Sequence, residues 1–288
     1  MLSSFARPKV NLFLHVTGRR NDGYHLLESL VVFPDGGDEL AAQLADQITL
    51  SVSGPFADVV GPAQNNLVLT AATILNKHAG TQFGAHISLT KNLPVAAGIG
   101  GGSADAAAAL RLLNNLWGLD LGREELAEMG LKIGADVPAC VYSTPLIMSG
   151  IGEKLAEINK FPKIHIILVN SKIKVSTAEI FRRLSAPYNS ASETGFVFDP
   201  SAPMMPQLLE SRNDMQAAAL EMAPEIDELL ALLDAQADCQ LARMSGSGGT
   251  CFGLFPTRAA AEQAASRIEG AHPDWWVKQM VIPANRAP

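Results

Sequence analysis

The stretch from Lys91 to Gly118, KNLPVAAGIGGGSADAAAALRLLNNLWG, joins a glycine-rich turn to a run typical of a helix. Its glycines are concentrated at Gly98, Gly100, Gly101 and Gly102. Glycine adopts backbone conformations that other residues avoid, and it lets a backbone approach a ligand closely. Ser103 is a candidate N-cap, the alanine-rich run after it favours a helix, and Gly118 is a suitable end. The stretch therefore predicts a loop that opens directly into a helix.

A loop of this kind suits an anion, above all phosphate, because free N–H groups and the positive end of the helix dipole point at the ligand. An inert flexible turn is the alternative that the glycines alone leave open. The loop is not a Walker P-loop, since Ser103 follows Gly102 with no lysine between them. A G-x-G-x-x-G pattern is only a near miss here, and no acidic residue at the end of a second strand supports a dinucleotide fold.

Composition limits the class of protein. A chain of 288 residues is long enough for two domains. Its composition, with 48% hydrophobic and 18% charged residues, is typical of a globular protein. A net charge of −7 argues against a nucleic-acid binder. The three widely spaced cysteines form neither a metal pair nor an even disulfide set, which favours a cytoplasmic location. The start of the chain does not resemble a signal peptide, and no apolar run reaches the roughly 18 residues of a membrane span.

Polar residues at three other places are candidates for a site. The alternating run Lys9–Thr17, KVNLFLHVT, predicts a strand with Lys9 and Asn11 on one face, although an edge strand with a solvated lysine would look the same. Tyr24 and His25 follow a glycine turn and could stack on a flat ligand, or they could be a surface pair. Asp136, before Val137-Pro138, predicts a loop or a helix start, where a simple N-cap is the alternative.

The rest of the chain sets the expected organisation. Residues Pro34–Asp46 predict a loop or short helix, and Phe161-Pro162 is a candidate domain boundary. The nearly all-apolar run Ile164–Asn170 predicts a strand of a second core. A second glycine-serine loop, at 245–250, raises the expectation that both loops face one anionic ligand. The last predicted strand, Trp276–Val281, could return to the first domain.

Five blocks together resemble the GHMP kinases. The phosphate loop of that family is similar to Pro94-x-x-x-Gly98-Ile-Gly-Gly-Gly-Ser103-Ala-Asp-Ala-Ala. The other blocks are Pro8-Lys9-Val-Asn11-Leu-Phe-Leu, Gly18-x-x-x-Asp22-Gly23-Tyr24-His25, Gly134-Ala-Asp136-Val-Pro138 and Ser245-Gly-Ser-Gly. The blocks with D-G-Y-H and G-A-D-V-P carry most of the specificity. They point to a member of the family whose acceptor is a cytidine diphosphate compound, in the pathway to isoprenoid precursors that does not use mevalonate.

The resemblance implies an α/β (α+β) fold of two GHMP kinase domains. A ribosomal-S5-like N-terminal domain that binds ATP would span residues 1–160, and a ferredoxin-like C-terminal domain would span residues 161–288. ATP and the small-molecule acceptor would bind in the cleft between the domains, with Mg²⁺ as the second cofactor. The implied activity is ATP-dependent phosphorylation of an alcohol by a cytoplasmic monomer or homodimer, with no nucleic-acid or membrane partner.

The resemblance also assigns roles to residues. Asp136 would be the catalytic base, and Lys9 would stabilise charge on the transferred group and keep Asp136 ionised. ATP would be bound by Pro94, Val95, Ala96, Ala97, Gly98, Ile99, Gly100, Gly101, Gly102, Ser103 and Ala104, with Ser103 also a candidate contact for Mg²⁺. The acceptor would be held by Asn11, Tyr24, His25, Thr177 and Phe181. The second loop, made of Ser245, Gly246, Ser247, Gly248 and Gly249, would close the site from the second domain.

One segment departs from the family pattern, because several extra residues, Glu39–Asp46, precede the next strand. Two rival functions stay open. The first is another GHMP small-molecule kinase, such as a homoserine or mevalonate kinase. The second is a non-catalytic ATP sensor on the same fold, which the presence of both Lys9 and Asp136 disfavours.

Overall fold

The computed structural model describes residues 1–62, 65–184 and 198–285. The strands are β1 Leu2–Ala6, β2 Val10–Arg19, β3 His25–Val32, β4 Asp38–Ala45, β5 Thr49–Ser53, β6 Gly84–Thr90, β7 Leu146–Gly150, β8 Lys154–Glu157, β9 Ile164–Asn170, β10 Leu241–Met244, β11 Thr250–Phe255 and β12 Trp276–Ile282. The helices are α1 Leu67–Ala79, α2 Gly101–Trp117, α3 Arg123–Leu131, α4 Val137–Tyr142, α5 Thr177–Arg183, α6 Met204–Glu210, α7 Gln216–Met222, α8 Glu225–Asp234 and α9 Arg258–Ala271. The expected mixed α/β class is confirmed.

The chain folds into two compact units and passes between them several times. The first unit comprises Met1–Lys9, Gly36–Val95 and Gly100–Ser143, and the second comprises Val10–Asp35, Ala96–Ile99 and Thr144–Pro288. These units do not correspond to a single cut in the chain. The linear boundary between residues 160 and 161 stays a prediction.

The first unit contains one sheet, with strand order β1-β4-β6-β5, in which only β5 and β6 pair in parallel. Strand β4 corrects a prediction, because the segment Pro34–Asp46 was expected to be a loop or short helix. Its alternate residues Asp38, Leu40 and Ala42 are buried, while β1 and β6 supply hydrogen bonds on either side. The glutamate, glutamine and alanines in this run are poor strand formers, so pairing with both neighbours overrides local preference.

Helix α2 packs against β1 and β4 and against the other three helices of the first unit. After the first turn the helix is buried on every side, because Ala104 and the four alanines 106–109 have almost no exposed surface. Alanine combines the highest helix propensity with a side chain small enough for close packing. The helix begins at Gly101 with Gly100 as its N-cap, so the prediction that Ser103 caps it is wrong. Gly118 ends the helix in a left-handed conformation, as expected.

The second unit contains two antiparallel sheets, ordered β2-β3-β7-β8 and β10-β11-β9-β12. Strand β9 is buried between β11 and β12, which confirms the predicted strand of a second core. The last strand pairs with β9 along its whole length, from Trp276 opposite Asn170 to Ile282 opposite Ile164. The alternative that it returns to the first domain is therefore wrong. Among the described helices, none is both long enough and apolar enough to cross a membrane.

Candidate active site

A buried lysine and a half-exposed aspartate form an ion pair in the first unit. Lys9 Nζ donates to Asp136 Oδ1 at 2.9 Å, and the exposed fractions of the two side chains are 6% and 38%. The alternative of a solvated Lys9 is therefore wrong. Asp136 does stand at the N-cap position of α4, but its side chain makes no capping hydrogen bond there. The carboxylate is turned to the ammonium instead, with one oxygen bonded to Lys9 and part of its surface open.

Gly100 lies directly against this ion pair. Its φ of +61° belongs to the left-handed region, where a residue with a side chain is strained. A Cβ added at Gly100 would lie 3.2 Å from Lys9 Cβ and 3.9 Å from Asp136 Oδ2. The absence of a side chain at Gly100 therefore leaves Lys9 undisturbed where the glycine loop enters the helix.

The start of α2 can accept an anion. No described side chain caps it, and the first N–H groups of a helix have no partner within the helix. The backbone of the loop before it turns through left-handed conformations at Ala96, Gly98 and Gly100, with φ values of 55°, 73° and 61°. A non-glycine residue in this region is uncommon, so Ala96 marks a loop whose shape is imposed by its surroundings.

The two glycine loops meet in the second unit, backbone against backbone. A Cβ at Gly98 would lie 2.4 Å from the carbonyl oxygen of Gly248, and a Cβ at Gly246 would lie 2.7 Å from the carbonyl oxygen of Gly98. The Ser245 hydroxyl donates to that same Gly98 oxygen at 3.2 Å and accepts from the Asn11 N–H at 3.2 Å. The structure brings the backbones of the two loops into contact, and the expectation that both face one anionic ligand stays a prediction.

Asn11 is a buried amide in β2 with one free acceptor. Its Nδ2 donates to the Ser29 hydroxyl at 2.8 Å. Its Oδ1 is buried and has no hydrogen-bond partner among the described residues. Because an unpaired buried oxygen is costly, this atom is a candidate acceptor for a donor on a ligand.

The remaining predicted substrate residues lie in the second unit as well. The His25 ring stacks on Phe181, with centroids 5.0 Å apart and planes 20° apart. Burial, with a smaller effect from Arg19, lowers the pKa of His25, which favours a neutral ring. Tyr24 is 61% exposed. The Thr177 and Ser247 hydroxyls lie 2.6 Å apart, so α5 is tied to the second glycine loop.

Sequence reasoning missed the supports of that loop. Arg243, buried just before it, donates to the carbonyl oxygens of Leu12, Leu208 and Ser211 and to the Ser211 hydroxyl. Burial lowers the pKa of Arg243 to about 10, so its guanidinium is still charged near neutral pH. Asn213 Nδ2 donates to the carbonyl oxygens of Met244 and Gly246 at 2.9 and 2.8 Å. Only the position of Arg243 two residues before Ser245 could have drawn attention to it.

Sequence reasoning also missed a buried charged cluster in the first unit. Lys91 Nζ bonds to the carboxylates of Asp38 and Asp105, and all three residues are almost fully buried. Nothing local distinguishes them from exposed charged residues. As for metals, no group of three or more histidine, cysteine, aspartate or glutamate side chains in the described part of the chain is arranged to hold an ion.

Comparison with protein families identifies two matching segments. Residues 66–144 match the model described as GHMP kinases N terminal domain, and residues 199–274 match GHMP kinases C terminal. The first match includes the glycine loop and Asp136, and the second includes the Ser245–Gly249 loop.

Individual relatives match over nearly the full length. The chain is 48% identical to a 4-diphosphocytidyl-2-C-methyl-D-erythritol kinase of Rhizobium etli, over 95% of this chain and 92% of the relative. It is 47% identical to the protein of the same name from Parvibaculum lavamentivorans, over 95% of each chain. A crystal structure of 4-(cytidine 5'-diphospho)-2C-methyl-D-erythritol kinase matches with a TM-score of 0.78 and 28% identity, over 97% of this chain and 99% of the other.

Proposed function

The chain belongs to the GHMP kinases and, within them, to the 4-diphosphocytidyl-2-C-methyl-D-erythritol kinase family, and from this premise we propose its reaction. It transfers the γ-phosphoryl group of ATP to the 2-hydroxyl of 4-diphosphocytidyl-2-C-methyl-D-erythritol. The step belongs to the non-mevalonate route to isoprenoid precursors. The observation that carries the proposal is the Lys9–Asp136 ion pair beside Gly100, because it supplies a proton acceptor and a fixed cation next to a phosphate-type loop.

Asp136 is the general base in this proposal. Phosphoryl transfer needs positioning and charge stabilisation more than covalent chemistry, and a carboxylate can accept the proton of the attacking hydroxyl. One carboxylate oxygen is held by Lys9 at 2.9 Å, and the side chain keeps 38% of its surface exposed. Lys9, whose stem is buried, presents a fixed ammonium that stabilises negative charge on the moving phosphoryl group.

The loop from Pro94 to Ala104 binds the phosphates of ATP in this proposal. The N–H groups of Gly101, Gly102 and Ser103, at the start of the 17-residue helix α2, face the anion with the positive end of the dipole. When bound, Mg²⁺ would neutralise charge on the phosphate oxygens. The Ser103 hydroxyl is the neutral oxygen donor that we assign to the ion or to a phosphate.

The acceptor is held by residues of the second unit in this proposal. The stacked His25–Phe181 pair and the exposed Tyr24 ring offer flat faces to the cytosine, and the Asn11 Oδ1 atom offers an acceptor. Stacking of a base on an aromatic ring contributes about 1–3 kcal/mol in nucleic-acid complexes. Thr177 supports this region through its hydrogen bond with Ser247. Closure of the site by Ser245–Gly249 stays a prediction, as do the cytoplasmic location and the monomer or homodimer state.

A coupled assay of ADP release tests the proposal. Purified protein with ATP and Mg²⁺ receives 4-diphosphocytidyl-2-C-methyl-D-erythritol, homoserine, mevalonate or no acceptor. We expect only the cytidylyl compound to stimulate ADP release. Stimulation by homoserine or mevalonate instead would favour another GHMP kinase. Binding of ATP with no turnover on any acceptor would favour the sensor.

A further inference from the structure

Three charged side chains are buried together in the first unit, outside the residues assigned to catalysis. Asp38, Lys91 and Asp105 are 0%, 3% and 4% exposed. Lys91 Nζ donates to Asp105 Oδ2 at 2.7 Å and also to Asp38 Oδ2. Because burying charges is expensive and a buried ion pair often adds no stability over an apolar core, such a cluster calls for a role other than stability.

The cluster joins both ends of the glycine loop. Asp38 opens β4, Lys91 directly follows β6 on the way into the loop, and Asp105 stands in the second turn of α2 after the loop. The second oxygen of Asp38 accepts the backbone N–H groups of Asn92 and Leu93 at 2.6 and 2.8 Å. The Lys91 ammonium and the Asp38 carboxylate therefore hold the chain before Pro94. The Asp105 carboxylate, bonded to the same ammonium, holds the helix after Gly100.

Lys91 keeps its positive charge although it is buried. Burial alone would lower the pKa of Lys91, but the carboxylates of Asp105 and Asp38 outweigh it, and the net shift is upward. The ammonium also lies close to the helix start, since a Cβ at Gly101 would be 3.7 Å from Lys91 Nζ. The buried cluster thus lies next to the first turn of α2.

We propose that Asp38, Lys91 and Asp105 are positioning residues that fix the loop and the first turn of α2 in the geometry that binds the phosphates of ATP. The inference rests on the proposed function of that loop. It differs from a purely structural role, because it predicts a selective effect on ATP and not on the acceptor.

Asp105→Ala and Asp105→Asn test this selectivity, with Leu113→Ala as the matched control. Leu113 is a fully buried residue of the same helix, about 18 Å from its start at 1.5 Å per residue. Binding of a non-hydrolysable ATP analogue is measured by calorimetry, together with the KM values of ATP and acceptor and the melting temperature. We expect Asp105→Ala to weaken binding of the analogue and raise the KM of ATP about tenfold or more, because small displacements of positioning groups are costly.

Two further results complete the expected pattern. Asp105→Asn keeps an oxygen acceptor for Lys91 and should bind the analogue within about threefold of the parent, since the hydrogen bond survives. Leu113→Ala should melt at lower temperature and leave the affinity for the analogue unchanged. The KM of the acceptor should stay within about twofold in all three variants, because their changes lie behind the ATP loop.

The inference is overturned if the parent binds the analogue and Asp105→Ala binds it equally well. It is also overturned if Asp105→Ala changes the KM values of ATP and acceptor by the same factor. If the parent itself does not bind the analogue, the proposed function of the loop has failed instead. If Asp105→Ala does not fold, Asp38→Asn replaces it, because both oxygens of Asp38 accept hydrogen bonds and an asparagine keeps only one of them. Its binding of the analogue is judged against Leu113→Ala by the same criteria.

Discussion

Replacing Gly100 by alanine separates backbone strain from damage to the ion pair, because helix α2 supplies its own control. Gly100 and Gly118 stand at its two ends with nearly identical φ values of 61° and 62°. A Cβ at Gly100 would lie 3.2 Å from Lys9 Cβ, whereas a Cβ at Gly118 would meet nothing within 4 Å. Both substitutions therefore impose the same backbone strain, and only one of them presses on Lys9.

The magnitudes follow from this geometry. A left-handed alanine costs about 1–2 kcal/mol, and the reduced freedom of the unfolded chain returns about 0.4–1 kcal/mol. The backbone strain should thus cost each variant up to about 1.5 kcal/mol of unfolding free energy, which corresponds to a fall of at most about 3–6 °C in melting temperature. In Gly100→Ala, Lys9 must also move by a few tenths of an ångström, which displaces its ammonium from Asp136. We expect kcat to fall about tenfold or more in that variant alone.

Thermal melting and the coupled ADP assay distinguish backbone strain from displacement of Lys9. Gly118→Ala should melt at or above the temperature of Gly100→Ala, which carries the added contact with Lys9, and should match the parent in kcat. If Gly100→Ala melts like Gly118→Ala and keeps the parent kcat, then contact between the loop and Lys9 has no catalytic consequence. If both variants lose kcat equally, the loss comes from helix stability, and the reasoning from the 3.2 Å contact is refuted.

Four further predictions concern single side chains. Lys9→Ala should lower kcat about 10²–10³-fold because a fixed cation is lost, and a change confined to KM would make Lys9 a binding residue. Asp136→Asn should lower kcat about 10²–10⁴-fold with little change in KM, and near-normal turnover would exclude it as the base. His25→Ala should raise the KM of the cytidylyl substrate, since Phe181 loses its stacking partner; an unchanged KM would contradict the assignment. Burial lowers the pKa of His15 from 6.5 to about 4, so its contribution to stability is complete above pH 6.5 and is lost as the pH falls towards 4. The free energy of unfolding by urea should therefore depend less on pH in this range for His15→Gln than for the parent. Identical pH profiles would show that the lowered pKa of His15 does not contribute to stability.

The features that the sequence predicted are those with a short-range physical cause. Alanine-rich composition and a terminal glycine define α2, and a nearly continuous apolar run defines β9. The pairing of Lys9 with Asp136, across 127 positions, came from a resemblance and not from local pattern. Lys9 lies in a strand pattern that a solvated lysine would fit equally well. Asp136 lies in a turn pattern that a capping aspartate would fit equally well.

The features that escaped prediction depend on contacts between distant segments. Strand β4 is made by hydrogen bonds to β1 and β6, not by its own composition. The burial of Lys91 with Asp38 and Asp105 is set by where three separate elements meet. The sequence around a lysine does not reveal whether its ammonium lies in water or between two carboxylates. Burial of charge therefore has to be observed in the fold.

The glycines of the two loops, similar in sequence, have different physical reasons. Gly98 and Gly246 have no side chain because each lies against the other loop's backbone, where a Cβ would approach an oxygen to within 2.4 and 2.7 Å. Gly100 has none because Lys9 stands 3.2 Å from the position of its Cβ. In the proposed function, Gly101 and Gly102 stand at the helix start and offer their N–H groups to the phosphates. The four glycines between Gly98 and Gly102 therefore combine a contact with the second loop, space for Lys9 and the helix start to which we assign the phosphates of ATP.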